Sequence, residues 1–160
     1  MNSALISIPD QRLTVLNQQQ APIFQCRVNT AQNGVGCVQD SGCTPVGKHY
    51  VRACIGEGLS PYAVLKGRRP TGEEWSPALM QANPERDWIL GRILWLCGCE
   101  SGINRGGSVD TFRRYIYIHG SPAWLQDAPP ASHGCVRVAP EDMIQVFDYL
   151  GYGAVVSIQT

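Results

Sequence analysis

Short runs in which apolar and polar side chains alternate dominate the first third of the chain. Because successive side chains on a strand point to opposite faces, such runs predict half-buried β-strands. Turn-forming residues such as Pro9, Gly34 and Gly36 separate the runs. The predicted strands are ALISI (4–8), RLTVL (12–16), IFQCRV (23–28) and HYVRACI (49–55). They are expected to form an antiparallel meander.

The middle of the chain gives a different pattern. Glycines and prolines recur between Gly56 and Pro84, which predicts a long irregular loop, and such loops in compact domains are commonly functional. The next segment, PERDWILGRILWLCG (84–98), begins with residues suited to a first helical turn. Its large apolar side chains gather roughly on one side of a helical projection. We therefore predict a helix over 84–98.

The last third combines strands with a second predicted helix. The segments RYIYIHG (114–120), CVRV (135–138) and AVVSIQ (154–159) are rich in β-branched and aromatic residues and predict strands. In PEDMIQVFDYLG (140–151) the apolar positions follow a helical period, and Gly151 ends the pattern. The chain is thus expected to fold as one mainly β domain, residues 1–160, with two packed helices.

Charge and hydropathy restrict the partners. The chain carries 13 basic and 13 acidic residues, so its formal charge is zero and it lacks the basic excess of a protein that binds nucleic acid or an anionic membrane. The apolar run Ala4–Ile8 is too short for the core of a signal peptide, and no basic residue precedes it. These features predict a soluble protein in the cytoplasm, or in the periplasm if the sequence is a processed piece. The expected partner is a small molecule.

Seven cysteines are many for a cytoplasmic domain, and the odd number leaves at least one thiol unpaired. In a reducing compartment we expect free thiols. Cys135 differs from the others because a histidine, a glycine and an arginine lie within two positions of it. A cysteine attacks as the thiolate, so a catalytic cysteine requires a base or a positive neighbour.

His119 is the better base among the three histidines, which are His49, His119 and His133. If the strand ending at His119 lies beside the strand starting at Cys135, their ends bring imidazole and thiol within reach. The carbonyl of Gly120 is a plausible acceptor to orient the ring. The N–H groups of Gly134 and Cys135 are candidate oxyanion donors. Arg137 lies two positions after Cys135, on the same strand face, where it can bind a substrate carboxylate.

Other interpretations of these residues stay open at this point. Cys135 can be a small buried side chain, and Arg137 can form an ordinary salt bridge. A zinc site is a further alternative, with the candidate ligands Cys97, Cys99, His119, His133 and Cys135. The sequence contains neither Cys-x-x-Cys nor His-Glu-x-x-His, which disfavours a metal site. We therefore predict no metal and no cofactor.

The segment from His119 to Val138 resembles the L,D-transpeptidase catalytic domain, also called the YkuD domain. That family has a His-Gly, a loop, and then Ser-His-Gly-Cys, a hydrophobic residue, Arg and a hydrophobic residue. Here these are His119-Gly120 and SHGCVRV (132–138). Upstream, IPDQRLTVL (8–16) is similar to the opening strand pair of the family and TPVGKHYV (44–51) to its Thr-Pro-x-Gly hairpin. The resemblance extends over nearly the whole chain.

The resemblance implies a β-sandwich-like catalytic fold and an acyl-enzyme mechanism on peptidoglycan tetrapeptide stems. By position, Cys135 is the nucleophile, His119 its base, and Gly120 the residue that orients the imidazole. Gly134, with Cys135, supplies the oxyanion donors. The residues implied to shape the substrate pocket are Ser132, His133 and Arg137. The family uses no metal.

The bond attacked joins the L-centre of a diamino acid, usually meso-diaminopimelate, to a terminal D-Ala. With no export signal evident, we expect hydrolysis of recycled fragments, which is L,D-carboxypeptidase activity. Cross-linking or D-amino-acid exchange by transpeptidation is the alternative. A catalytically silent peptidoglycan-binding module is less favoured. The segment QDAPPA (126–131) and the Ala139-Pro140 pair depart from the family pattern, which leaves the choice of acceptor open.

Overall fold

The computed structural model describes residues 1–160. Most of the regular structure is β. The strands are β1 (Ser3–Ser7), β2 (Arg12–Leu16), β3 (Pro22–Asn29), β4 (Gly47–Ile55), β5 (Ala63–Lys66), β6 (Arg69–Glu74), β7 (Ile89–Gly98), β8 (Tyr117–Gly120), β9 (Val136–Val138) and β10 (Val155–Gln159). The helices are α1 (Pro77–Ala82) and α2 (Pro140–Tyr149), and two short 3₁₀ turns lie at Gly107–Val109 and Ala123–Asp127.

The strands form one sheet in the order β4-β10-β1-β2-β3-β9-β8-β7-β5-β6. A further pairing between β4 and β7 closes eight of these strands into a barrel-like ring, and the β5–β6 hairpin extends outside it. Closure leaves the ring without free strand edges. The predicted mainly β class is confirmed. No helix in the structure combines the length and the apolar character that a bilayer span requires.

One large hydrophobic cluster fills the inside of the ring. It contains alternate residues of the strands, such as Leu13, Val15, Ile118 and Val136, all less than 1% exposed. Helix α2 packs against β7 and β8 and buries Met143 in the same cluster. The helix predicted over 140–151 is therefore confirmed, with its apolar positions facing the core as the pattern indicated.

The helix predicted over 84–98 is wrong, because residues Ile89–Gly98 form the strand β7. This strand pairs with β4, β5 and β8, and nearly all of its residues are buried. A strand covered on both faces is apolar throughout, so it lacks the alternation that identifies a half-exposed strand. Gly91 adopts a φ of 71°, which a helix does not accommodate.

The irregular loop predicted over 56–84 is also corrected. It contains the β5–β6 hairpin and helix α1. Gly67 and Arg68 form the hairpin turn, with φ values of 56° and 65°, as a two-residue turn of this type requires. The pair Gly-Arg does not have the Asn-Gly signature by which such turns are recognised, which explains the missed hairpin. In α1, the Ser76 hydroxyl accepts a hydrogen bond from Leu79 N–H at 3.1 Å and caps the helix.

A buried histidine links β4 to the loop that follows β7. The Nδ1–H of His49 donates to Gly47 O at 3.0 Å, so Nε2 accepts from the Thr111 hydroxyl at 3.0 Å. The side chain is fully buried. Burial is the main reason that the pKa of His49 falls from 6.5 to about 4. This histidine is therefore neutral in the folded protein at neutral pH.

We expect His49 to make the fold acid-sensitive. Its pKa is lower in the folded state than in the unfolded state, so the unfolded chain binds the extra proton first. Stability is thus complete above pH 6.5 and falls between pH 6.5 and pH 4, by about 3 kcal/mol from this one group. The free energy of unfolding in urea, measured from pH 8 to pH 4, checks this for the wild type and His49→Gln. The wild-type curve should fall more steeply, and parallel curves would contradict the assignment.

Candidate active site

Strands β8 and β9 bring the two halves of the sequence motif together. They pair in parallel, with Ile118 opposite Val136 and His119 opposite Arg137. Ile118 and Val136 point into the core, so the alternating residues His119 and Arg137 point to the opposite face. Cys135 directly precedes β9, beside the start of β8. The thiol and the imidazole therefore lie on the same face of adjacent strands, with Cys135 level with Tyr117, two positions before His119.

The thiol of Cys135 is held between two backbone groups. Tyr117 N–H donates to Sγ at 3.3 Å, and the thiol donates to Tyr115 O at 3.4 Å. Burial is the largest influence on this thiol, and it raises the pKa of Cys135 to about 12. The hydrogen bond from Tyr117 and the charges of two arginines act in the opposite direction but do not offset burial. Cys135 is thus protonated in the resting protein.

His119 is buried, with 1% of its surface exposed. Its Nδ1 lies 2.7 Å from Gly120 O. A carbonyl only accepts, so Nδ1 carries the proton and Nε2 keeps a free lone pair. Burial lowers the pKa of His119 below its ordinary value of 6.5. The resting pair is therefore a neutral thiol and a neutral imidazole, and the imidazole is in the tautomer that accepts a proton.

Ser132, Gly134 and Cys135 form a tight turn around one hydroxyl. Ser132 Oγ donates to Cys135 O at 2.6 Å and accepts from Gly134 N–H at 3.2 Å. Gly134 has a φ of 132°, and a Cβ there would lie 2.9 Å from the Ile116 side chain. Only glycine fits this position without strain. The two expected oxyanion donors differ, because the Gly134 N–H already has an acceptor whereas the Cys135 N–H has none in the protein.

Arg137 and His133 lie beside a cleft of about 540 Å³. Arg137 Nη2 forms an ion pair with Asp87 Oδ1 at 3.1 Å. His133 is exposed and forms no hydrogen bond with its side chain. Two tryptophans, Trp88 and Trp124, contribute much of the apolar wall. A second cleft, of about 440 Å³, lies on the other side of His133.

The zinc alternative finds no ligand set in the structure. No group of three or more His, Cys, Asp or Glu side chains is arranged to hold a metal ion. Cys97 lies near the end of β7, opposite Tyr50 of β4, and Cys99 follows the strand, where its N–H donates to Lys48 O. All seven cysteines are free thiols.

The model of the YkuD family, described as the L,D-transpeptidase catalytic domain, matches residues 2–158. The chain belongs to this family. The match extends over both halves of the site, His119-Gly120 and Ser132–Val138, and over the strands that carry them. No curated protein sequence matches the chain.

Solved L,D-transpeptidase structures share this fold. The enzyme from Mycobacterium smegmatis is 16% identical with a TM-score of 0.56, and the alignment covers 99% of this chain and 58% of that one. The Mycobacterium tuberculosis H37Rv enzyme is 17% identical with a TM-score of 0.57, covering 99% and 57%. An L,D-transpeptidase in complex with imipenem is 16% identical with a TM-score of 0.58, covering 99% and 58%. The chain therefore spans less than two thirds of these neighbours.

Arg114 is a residue of this L,D-transpeptidase domain that the sequence did not single out. Its guanidinium donates to Cys43 O at 2.6 Å and to Gly36 O at 3.1 Å, which fixes it against the loop between β3 and β4, residues 30–46. Burial lowers its pKa, yet it stays cationic at neutral pH. Its charge lowers the pKa of Cys135. Arg114 thus supplies part of the positive field that a thiolate requires.

Asn29 is a second residue without a sequence signal. It is fully buried, and its side chain binds only main-chain atoms of the loop between β8 and β9. Its Nδ2 donates to the carbonyls of Leu125, Ala128 and Pro129 at 2.8–3.2 Å. Its Oδ1 accepts from Ala131 N–H at 3.0 Å. This amide fixes the loop that delivers Ser132 and Cys135 to the site, and only a structure or an alignment can find such a role.

Proposed function

We propose that this chain is a cysteine-dependent enzyme that acts on peptidoglycan tetrapeptide stems, with Cys135 as nucleophile and His119 as base. Family membership supports the class of enzyme. The observation that carries the proposal is the pairing of β8 with β9, which puts a thiol and a buried imidazole with a free Nε2 lone pair on one strand face. Both groups can stay neutral in the free protein, because the proton passes from the thiol to the imidazole only when the thiol attacks.

The reaction follows from the protonation states. His119 Nε2 takes the thiol proton as Cys135 Sγ attacks the carbonyl carbon between the L-centre of the diamino acid and D-Ala. The Cys135 N–H, free of other acceptors, stabilises the resulting oxyanion. The C–N bond then breaks, the imidazolium protonates the departing D-Ala amine, and a thioester remains. His119 next deprotonates the acceptor, which attacks the thioester, and the thiol regains its proton.

We propose water as the main acceptor. The cleft on the far side of His133 contains Asp40, Arg113 and Arg114, so its fixed charge is positive. A protonated amine from a second stem approaches such a surface unfavourably, whereas water does not. Hydrolysis releases D-Ala and a tripeptide stem, which is L,D-carboxypeptidase activity. Transpeptidation is the second candidate, because the same cleft, of about 440 Å³, has room for an acceptor.

The test is incubation of the protein with disaccharide-tetrapeptide in ¹⁸O-labelled water, followed by mass spectrometry. Hydrolysis predicts free D-Ala and a disaccharide-tripeptide that contains one ¹⁸O atom. Dimers, or incorporation of an added D-amino acid without ¹⁸O, would establish transpeptidation instead. Binding of the substrate with no product would indicate a silent binding module. The exposed thiol variant Cys54→Ala serves as the matched control and should retain full turnover.

A further inference from the structure

Asp87 and Arg137 form an unequal ion pair at the mouth of the cleft. The Arg137 side chain is 11% exposed and lies on a strand, whereas the Asp87 side chain is 53% exposed and lies in the segment between α1 and β7. The arginine is therefore held in place by its surroundings, while the aspartate can leave at little cost. Water solvates the exposed carboxylate of Asp87 and screens its attraction to the arginine.

The ion pair occupies only one nitrogen of the Arg137 guanidinium. Asp87 Oδ1 contacts a single nitrogen, Nη2, at 3.1 Å. The other guanidinium nitrogens of Arg137 form no hydrogen bond to the protein and are not sealed in the interior. A free carboxylate can bind such a group through two parallel hydrogen bonds, which is a stronger arrangement. A ligand carboxylate can thus form more hydrogen bonds with Arg137 than Asp87 does.

The pair also lies close to the reacting groups. The charges of Asp87 and Arg137 both act on the Cys135 thiol and on the His119 imidazole, with opposite signs. Arg137 is the residue directly opposite His119 in the strand pair. A carboxylate bound by Arg137 is therefore held beside His119 and Cys135.

We propose that Asp87 is an internal competitor for the substrate carboxylate: it occupies Arg137 in the free protein and is displaced when an anionic substrate binds. This proposal rests on the proposed function in one respect, since it takes Arg137 as the contact for a carboxylate of the stem peptide. Asp87 then determines how strongly the cleft selects anionic ligands. It does not take part in the chemistry.

A structural role for Asp87 predicts the opposite result. If the aspartate only holds Arg137 in position, its removal weakens the binding of anionic ligands. If it competes, its removal strengthens that binding. The sign of the change therefore separates the two roles. Glu85 offers a matched control, because it is an exposed acid that lines the same cleft and forms no ion pair with Arg137.

The experiment measures alkylation of Cys135 by iodoacetate and by iodoacetamide, in separate reactions analysed by peptide mass spectrometry. In each reaction an S–C bond forms, the thiol proton passes to the base, and iodide leaves. The two reagents differ in one carboxylate, so their rate ratio reports anion binding and cancels any change in thiol reactivity. The exposed Cys54 in the same digest is the internal reference. No peptidoglycan is needed, so a failure of the proposed function does not affect this result.

Asp87→Asn is expected to raise the iodoacetate-to-iodoacetamide ratio at Cys135 roughly threefold or more, while Glu85→Gln changes it by less than about twofold. Arg137→Gln should remove the gain when combined with Asp87→Asn, because the effect acts through the guanidinium. An unchanged or lower ratio in Asp87→Asn would overturn the proposal. Equal gains in Asp87→Asn and Glu85→Gln, or a gain that persists without Arg137, would overturn it as well. Asp87→Ser is the second variant should the asparagine fold poorly.

With a tetrapeptide substrate, the same variant should lower KM roughly threefold while kcat changes by less than about twofold. A higher KM would show that Asp87 positions Arg137 and does not compete with the substrate. If the wild type turns over no stem peptide, the proposed function fails, and the alkylation ratios still decide whether Asp87 competes.

Discussion

Cys135→Ala is expected to abolish turnover of the disaccharide-tetrapeptide, by roughly 10⁴-fold or more, because no other group on this strand face can form the thioester. The fold should remain intact. The substitution removes one small, partly exposed side chain and two weak contacts of its sulfur, so the free energy of unfolding should change by about 1 kcal/mol or less. Release of D-Ala and the thermal unfolding midpoint are the two measurements.

Cys43→Ala is the sharper control for this prediction. Cys43 lies in the loop that contacts Arg114, close to the site, and its thiol points to backbone carbonyls rather than to Cys135. Its variant should keep turnover within about twofold.

The acyl-enzyme should also be detected as a mass adduct on the peptide that contains Cys135. Residual turnover within tenfold of the wild type in Cys135→Ala would show that the nucleophile lies elsewhere.

His119→Asn is expected to lower kcat roughly 10²- to 10⁴-fold, which is the range for loss of a general base. Asparagine suits this test because its side-chain N–H can replace the bond to Gly120 O while it offers no basic nitrogen. The fold and the tight turn at Gly134 should persist. Circular dichroism and the iodoacetamide reaction of Cys54 show whether Cys135→Ala and His119→Asn are folded, independently of turnover.

The pH profile separates loss of the base from simple disruption of the site. In the wild type, the pKa of His119 lies below 6.5, so turnover should be flat above pH 7 and fall only in more acidic solution. In His119→Asn the thiol must ionise unaided, and its pKa is raised to about 12. The residual rate should therefore keep rising with pH up to the limit of protein stability. A flat profile in the variant would contradict the role of His119.

The sequence predicted which side chains of the candidate site lie together, because most of them are close in sequence, while their catalytic roles stay predictions. Cys135, Gly134, Ser132 and Arg137 lie within six positions, and a strand pairing was enough to bring His119 beside them. The strands β1, β2, β3, β4 and β10 were predicted as well, since buried positions alternate with less buried ones along most of their length. Period-two alternation is a reliable signal only where that difference exists.

The parts that were missed depend on contacts distant in sequence. Asp87 lies within 84–98, which was predicted as a helix that does not form, so its ion pair with Arg137, 50 positions away, was not anticipated. Arg114 was placed inside the strand RYIYIHG, but the strand begins at Tyr117, and the Arg114 side chain binds the loop between β3 and β4. Nothing in the pattern of apolar positions encodes such pairings.

The hydrogen bonds of Asn29 to the β8–β9 connection have a consequence for engineering. All four of its bonds go to main-chain atoms, so they place no demand on which side chains that connection displays. Segments of equal length with a different sequence can therefore be tested over residues 125–131, ahead of the turn that carries Ser132 and Cys135, to reshape the rim of the cleft. The tether keeps the grafted backbone in place, so selectivity can be redesigned without re-optimising the chemistry beneath it.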